Sequence, residues 1–172
     1  YTLANNITNT SNCINVGANN IVLDCAGFTM QYDSGGTGAD AIVATSRNNV
    51  TVQNCAITDA NAAGAEGIGI LYNATTNSTI LNNTIQTNGT SQNYGIQLFS
   101  SANNNNITNN SISTQGSSSN NHGIYLLTTV SGNTVSENTI RTNGTTINAG
   151  IRLESSANNN NITNNEISTN GS

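Results

Sequence analysis

The chain has 172 residues, the size of one domain. It is 34% hydrophobic and 6% charged, contains no Pro, Trp or Lys, and carries a net charge of −5 with Arg47, Arg141 and Arg152 as its only cations. So few cations exclude binding to nucleic acid by counterion displacement, and no apolar run approaches the ~20 residues of a membrane-crossing helix.

Asn fills 36 positions, and such a polar composition by itself reads as low complexity. The register of the apolar residues says otherwise. In chain order, residues 1–18 lack the Gly-Ile-x-Leu signature found further on. They are expected to open and cap the domain, with the repeat proper over 19–172. The start at Tyr1 is read as a mature or trimmed terminus.

Cys13, Cys25 and Cys55 follow in the first third. At most one intrachain disulfide can form. Burial as small apolar side chains accounts for Cys25 and Cys55 equally well. Their spacing, with one distant His, does not make a zinc site. The loop Asp33–Asp40 (DSGGTGAD) has two acids and three glycines, but it lacks a calcium-repeat pattern and reads as a plain polar loop.

From Leu23 onward the chain repeats. Apolar pairs five residues apart recur at Leu23/Phe28, Val52/Ile57, Ile80/Ile85, Ile107/Ile112, Val135/Ile140 and Ile162/Ile167, with steps of 29, 28, 27, 28 and 27 residues. Over a double step the match is closer. Gly95–Gly116 and Gly150–Gly171 agree at 18 of 22 positions. A period of this size marks a solenoid, whose repeats bury their apolar faces only by stacking.

Within one repeat, Ile96-Gln97-Leu98 alternates as a half-buried strand. Asn106-Ile107-Thr108 and Ser111-Ile112-Ser113 are two more, separated by Asn- and Ser-rich turns. Short, β-branched segments rich in Asn and Gly exclude a helical repeat. The expected fold is all-β: a single-stranded parallel β-helix of about six coils with three short strands each. The first members of the pairs should form one internal stack and the second members another. Ile68, Ile96, Ile124 and Ile151, with Ala41 at the start, should line the third wall. Asn83, Asn110, Asn138 and Asn165 share one bend position, where Asn tolerates a left-handed corner and can bond to its copies as a ladder.

The stretches NNIVLDCAGFTM (19–30), NNVTVQNCAI, which ends at Ile57, and the two NNNNITNN units (103–110 and 158–165) resemble the right-handed parallel β-helix superfamily. That superfamily includes pectate-lyase-like and NosD-type proteins, and the resemblance is closest to archaeal β-helix cell-surface proteins. It implies a right-handed solenoid over nearly the whole chain. It leaves function open, because the fold hosts lyases, hydrolases, adhesins and inert surface proteins.

The eight acids are Asp24, Asp33, Asp40, Asp59, Glu66, Glu137, Glu154 and Glu166. None shares a repeat position with an acid on the next coil, so no paired-carboxylate site is expected. Glu154 and Arg152 read as a solvated pair. His122 reads as a lone, solvated loop histidine without a partner. No catalytic residue, cofactor or metal is assigned.

The surface carries two features. Twelve Asn-x-Ser/Thr sequons occur, and Asn88, Asn143 and Asn170 are the glycosylation candidates, each expected in an open Thr-Asn-Gly-Ser/Thr loop. Leu71, Phe99 and Leu127 follow the inward Ile-x-Leu pairs. Strict alternation points them outward as an apolar column and candidate interface, whereas a turn at that point tucks them inside.

The chain ends on a coil nearly identical to one in its middle, without a distinctive cap. These observations point to a non-catalytic, secreted or cell-surface structural solenoid. It would self-associate, end to end or laterally, as a subunit of a filament, sheath or surface layer. The alternatives are a carbohydrate-binding or polysaccharide-processing module, for which Tyr94 and Tyr125 would lie close together, and a fragment of a larger adhesin.

Overall fold

A computed structural model describes residues 1–36, 38–61, 64 and 66–171. In chain order the strands are β1 (Ile7–Thr8), β2 (Ile14–Val16), β3 (Ile21–Asp24), β4 (Thr29–Tyr32), β5 (Ile42–Thr45), β6 (Val50–Gln53), β7 (Ala56–Asp59), β8 (Gly67–Asn73), β9 (Thr79–Leu81) and β10 (Thr84–Gly89). They continue as β11 (Asn93–Phe99), β12 (Asn106–Thr108), β13 (Ser111–Gly116), β14 (His122–Leu127), β15 (Thr134–Ser136), β16 (Thr139–Gly144), β17 (Ile151–Glu154), β18 (Asn161–Thr163) and β19 (Glu166–Gly171).

Every third strand pairs in parallel, which builds three walls. The first wall is β2-β5-β8-β11-β14-β17, the second β3-β6-β9-β12-β15-β18 and the third β1-β4-β7-β10-β13-β16-β19. One circuit of the three walls is one coil. Successive coils rise by about 4.8 Å, the strand spacing of a sheet. The opening segment 1–18 already contributes β1 and β2, which pair with β4 and β5.

The interior is a set of like-on-like stacks. In the second wall Leu23, Val52, Ile80, Ile107, Val135 and Ile162 stand in register, as the period predicts. In the third wall the stack is Ile7, Met30, Ile57, Ile85, Ile112, Ile140 and Ile167. Most of these side chains are completely buried, each stabilising the fold by about 1.5–3 kcal/mol.

Three expectations are corrected here. Met30, not Phe28, holds the stack position. Ala26 and Gly27 both take positive φ (51° and 82°) and form an extra turn between Leu23 and β4. In the first wall the stack is Ile14, Ile42, Ile70, Ile96, Ile124 and Ile151, so Ile70 and Ile42 replace Ile68 and Ala41. The sequence Gly67-Ile68-Gly69-Ile70 offers two equivalent registers, and pairing selects the second. There a Cβ on Gly69 would lie 2.5 Å from Ile85 Cγ2 and 2.6 Å from the Gly95 carbonyl oxygen, so the position has no room for a side chain.

The third correction concerns the bend. The left-handed residues are Asn82, Asn109, Glu137 and Asn164 (φ 54–58°), one place before the ladder asparagines. The ladder residues themselves point inward. Oδ1 of Asn110 accepts both the backbone N–H (3.0 Å) and Nδ2 (2.9 Å) of Asn83. Asn138 serves Asn110 in the same way, and Asn165 serves Asn138. Each Nδ2 also donates to a carbonyl of the neighbouring coil, from Val52 to Val135.

At the head of this column Asn83 Oδ1 accepts from Cys55 N–H, and Cys55 is disulfide-bonded to Cys25, with their Cα atoms 4.7 Å apart. One corner is therefore tied covalently in its first two coils and by side-chain amides below. Two further ladders, which the sequence reading did not separate from ordinary turn asparagines, follow the other corners. They run Ser78–Asn105–Asn133–Asn160 and Asn93–Asn121–Asn148.

Candidate functional site

Chemistry-bearing side chains gather on the outer face of the first wall. Strand pairing places Ile68, Tyr94 and His122 side by side. The next outward column is Val43, Leu71, Gln97, Tyr125 and Arg152, and beyond it stand Thr45, Asn73, Phe99, Leu127 and Glu154. A groove of about 590 Å³ runs over these columns, with Asp40 and Glu66 at one rim. This volume is in the range of small-molecule sites.

The rings form a compact group. Tyr94 and His122 stack with planes within 2° and centroids 5.5 Å apart. Tyr125 meets both edge-on, at 5.1 and 5.2 Å. Arg152 lies 5.5 Å from the Tyr125 ring centre and pairs with Glu154 at 2.8 Å. Tyr125 Oη donates to Glu154 Oε2 at 2.6 Å. Burial, then that bond to the carboxylate, push the Tyr125 hydroxyl up to about 12, and the same bond leads the causes that lower Glu154.

His122 is corrected from a solvated loop residue to the first residue of β14, 1% exposed. Nδ1 accepts Ala149 N–H at 3.1 Å, and Nε2 lies 3.1 Å from Arg152 Nη1. Both nitrogens face donors, so a second ring proton is unwelcome. Burial, then the Arg152 charge, lower His122 to about 4. Its partners stand 27–30 residues away, beyond the reach of local spacing.

The acids are also closer than their repeat positions imply. No two stand opposite each other in a wall, as expected, but acids from non-equivalent positions converge at the corner between the third and first walls. Asp33 and Asp59 are 2% and 5% exposed. Asn61 donates its N–H to Asp59 at 2.8 Å and its amide to Asp33 at 3.4 Å. Burial foremost raises both Asp40 and Asp59 to about 6, with Glu66 and Asp33 adding to Asp40 and Asp33 to Asp59. Among the described residues no group of three or more His, Cys, Asp or Glu is placed to hold a metal ion. Thr37 of the Asp33–Asp40 loop lies outside the described residues.

The surface candidates fall as follows. Leu71, Phe99 and Leu127 are half-buried, line the groove and are absent from the core cluster. They do not form one column. Phe99 pairs with Leu127, whereas Leu71 stands opposite Gln97, one pleat away. Asn88, Asn143 and Asn170 lie in strands β10, β16 and β19 rather than in free loops. With Gln115 they form a single column, in which Asn143 is directly opposite Asn170. Asn88 is half-buried, and the other two are exposed.

A family model described as a right handed beta helix region matches residues 4–172. No curated protein and no solved structure matches the chain.

Proposed function

The chain belongs to the right-handed β-helix family, and on that premise we propose that it is a non-catalytic structural solenoid of a secreted or cell-surface assembly, a subunit of a filament, sheath or surface layer. The observation that carries this reading is the tied corner: the Cys25–Cys55 disulfide continued by the ladder from Asn83 to Asn165. A disulfide persists in oxidising compartments. Corners cross-linked in every coil suit a part that bears load rather than one that moves. The resemblance to archaeal cell-surface proteins belongs to the same reading, as do N-linked glycans at Asn88, Asn143 and Asn170.

Leu153, Ile162 and Ile167 on the last described coil are 38–46% exposed and are the next members of the internal stacks. Electron microscopy of the native protein tests the proposal. Filaments or sheets with an axial repeat commensurate with the coils are expected, and discrete monomers at high concentration overturn it.

A second reading, a carbohydrate-binding module, is favoured by one observation: the outer groove of the first wall with its grouped rings and rim carboxylates.

A further inference from the structure

We propose that the groove on the outer face of the first wall binds an amino-sugar chain, whose pyranose face packs on Tyr94 and whose free amines pair with Asp40 and Glu66. This rests on the carbohydrate-binding reading and names its ligand. The groove has the composition of a saccharide site. The face of the half-buried Tyr94 ring turned away from His122, with Ile68 and Leu71, gives an apolar surface for the C–H face of a pyranose, and Gln92 and Asn73 supply amides that both donate and accept.

Charge selects within that class. Asp40 Oδ1 accepts one bond, from Ile68 N–H at 3.2 Å, and among the described residues neither Asp40 nor Glu66 meets a cation. Burial foremost raises the Asp40 carboxyl, and the neighbouring Glu66 and Asp33 charges, which add to that shift, also attract an ammonium group. Arg152 stands at the far side of Tyr125 and is neutralised by Glu154 at 2.8 Å. Nothing in the groove therefore welcomes a uronate, and the net charge of −5 repels a polyuronate before contact. A basic peptide shares the charge but leaves the ring-and-amide lining without a matching partner.

Titration calorimetry with the intact chain at pH 7, where Asp40 is mostly ionised, tests this. The probes are glucosamine oligomers, their N-acetylated counterparts, galacturonate oligomers and oligolysine. Saturable binding of the glucosamine oligomers is expected, at least about tenfold tighter than of the acetylated ones, with none of galacturonate. Asp40→Asn with Glu66→Gln should remove that tenfold preference. Tyr94→Ala should weaken both sugars alike, with unchanged circular dichroism confirming the fold. Equal binding of acetylated and free-amine oligomers overturns the charge assignment and leaves the carbohydrate reading standing. Failure of every sugar overturns both. Oligolysine displacing the sugar and binding as tightly overturns the proposal in favour of a peptide surface.

Discussion

At the residue scale, the inward asparagines are the most consequential side chains. Asn110 is 2% exposed, yet its amide makes bonds to Asn83, Ile80, Thr108 and Asn138. Asn110→Ala orphans the Asn83 N–H in the interior and should cost about 1–3 kcal/mol. Asn158→Ala, at an exposed position, should stay within about 0.5 kcal/mol. Urea unfolding of the two variants checks the contrast, and equal costs would deny the ladder its role.

The buried titrating groups give a second test, and their signs differ. Asp40 and Asp59, raised to about 6, bind more protons folded than unfolded between about pH 4 and pH 6. Their contribution is complete at low pH and is lost as pH rises through 6. His122, lowered to about 4, contributes in the opposite sense, with stability present above its unfolded value near 6.5 and lost as pH falls to 4. Two raised aspartates outweigh one lowered histidine, so these groups together make the wild type less stable as pH rises from 4 to 6. Asp59→Asn should flatten the fall of melting temperature with pH over this window, and His122→Phe should steepen it. Parallel profiles in all three proteins would rule the assignments out.

At the element scale, one corner column reads Cys25, Cys55, Asn83, Asn110, Asn138 and Asn165. The disulfide closes a loop of about 30 residues, for which chain entropy gives about 3.6 kcal/mol. Cys25→Ser with Cys55→Ser should therefore lose about that amount. Cys25→Asn with Cys55→Asn should recover part of it by extending the ladder two coils upward, since Asn83 Oδ1 already receives Cys55 N–H. Denaturation midpoints decide this, and an Asn pair no better than the Ser pair would show that the ladder needs its own turn geometry. The column was half legible in the sequence. The Asn spacing gave the ladder, but the two cysteines were read apart from it because pairing needs a register. The neighbouring left-handed position is filled by Glu137 as well as by Asn82, Asn109 and Asn164. Residue type therefore did not mark which of two adjacent positions turns.

At the scale of the whole molecule, the outer face of the first wall is where the rod departs from uniform polarity. Phe99 stands there half-buried and outside the core. Phe99→Ser should reduce assembly in light scattering while shifting the unfolding free energy by less than about 1 kcal/mol. A large loss of folding stability would instead make it part of the fold. The glycan column makes its own demand. Asn143 and Asn170 face each other across one strand pair, about 4.8 Å apart, too close for two branched glycans. Glycopeptide mass spectrometry of native material should find one or the other occupied on each molecule, and double occupancy would refute the crowding argument.

The sequence by itself determined the solenoid, its three strands per coil, the second-wall stack and the bend ladder, because a period of 27–29 residues repeats each apolar contact identically in every coil. Register and the corner contacts were decided only in three dimensions. Met30 displaced Phe28 through an extra turn, and Ile70 displaced Ile68 between two equal Gly-Ile choices. The group of Tyr94, His122, Tyr125, Arg152 and Glu154 draws on three neighbouring columns, and Asp33, Asp40 and Asp59 come from non-equivalent positions of different coils. Periodicity reports what stacks on its own copy. It is silent on what a corner brings together, which depends on the length and turn of each loop.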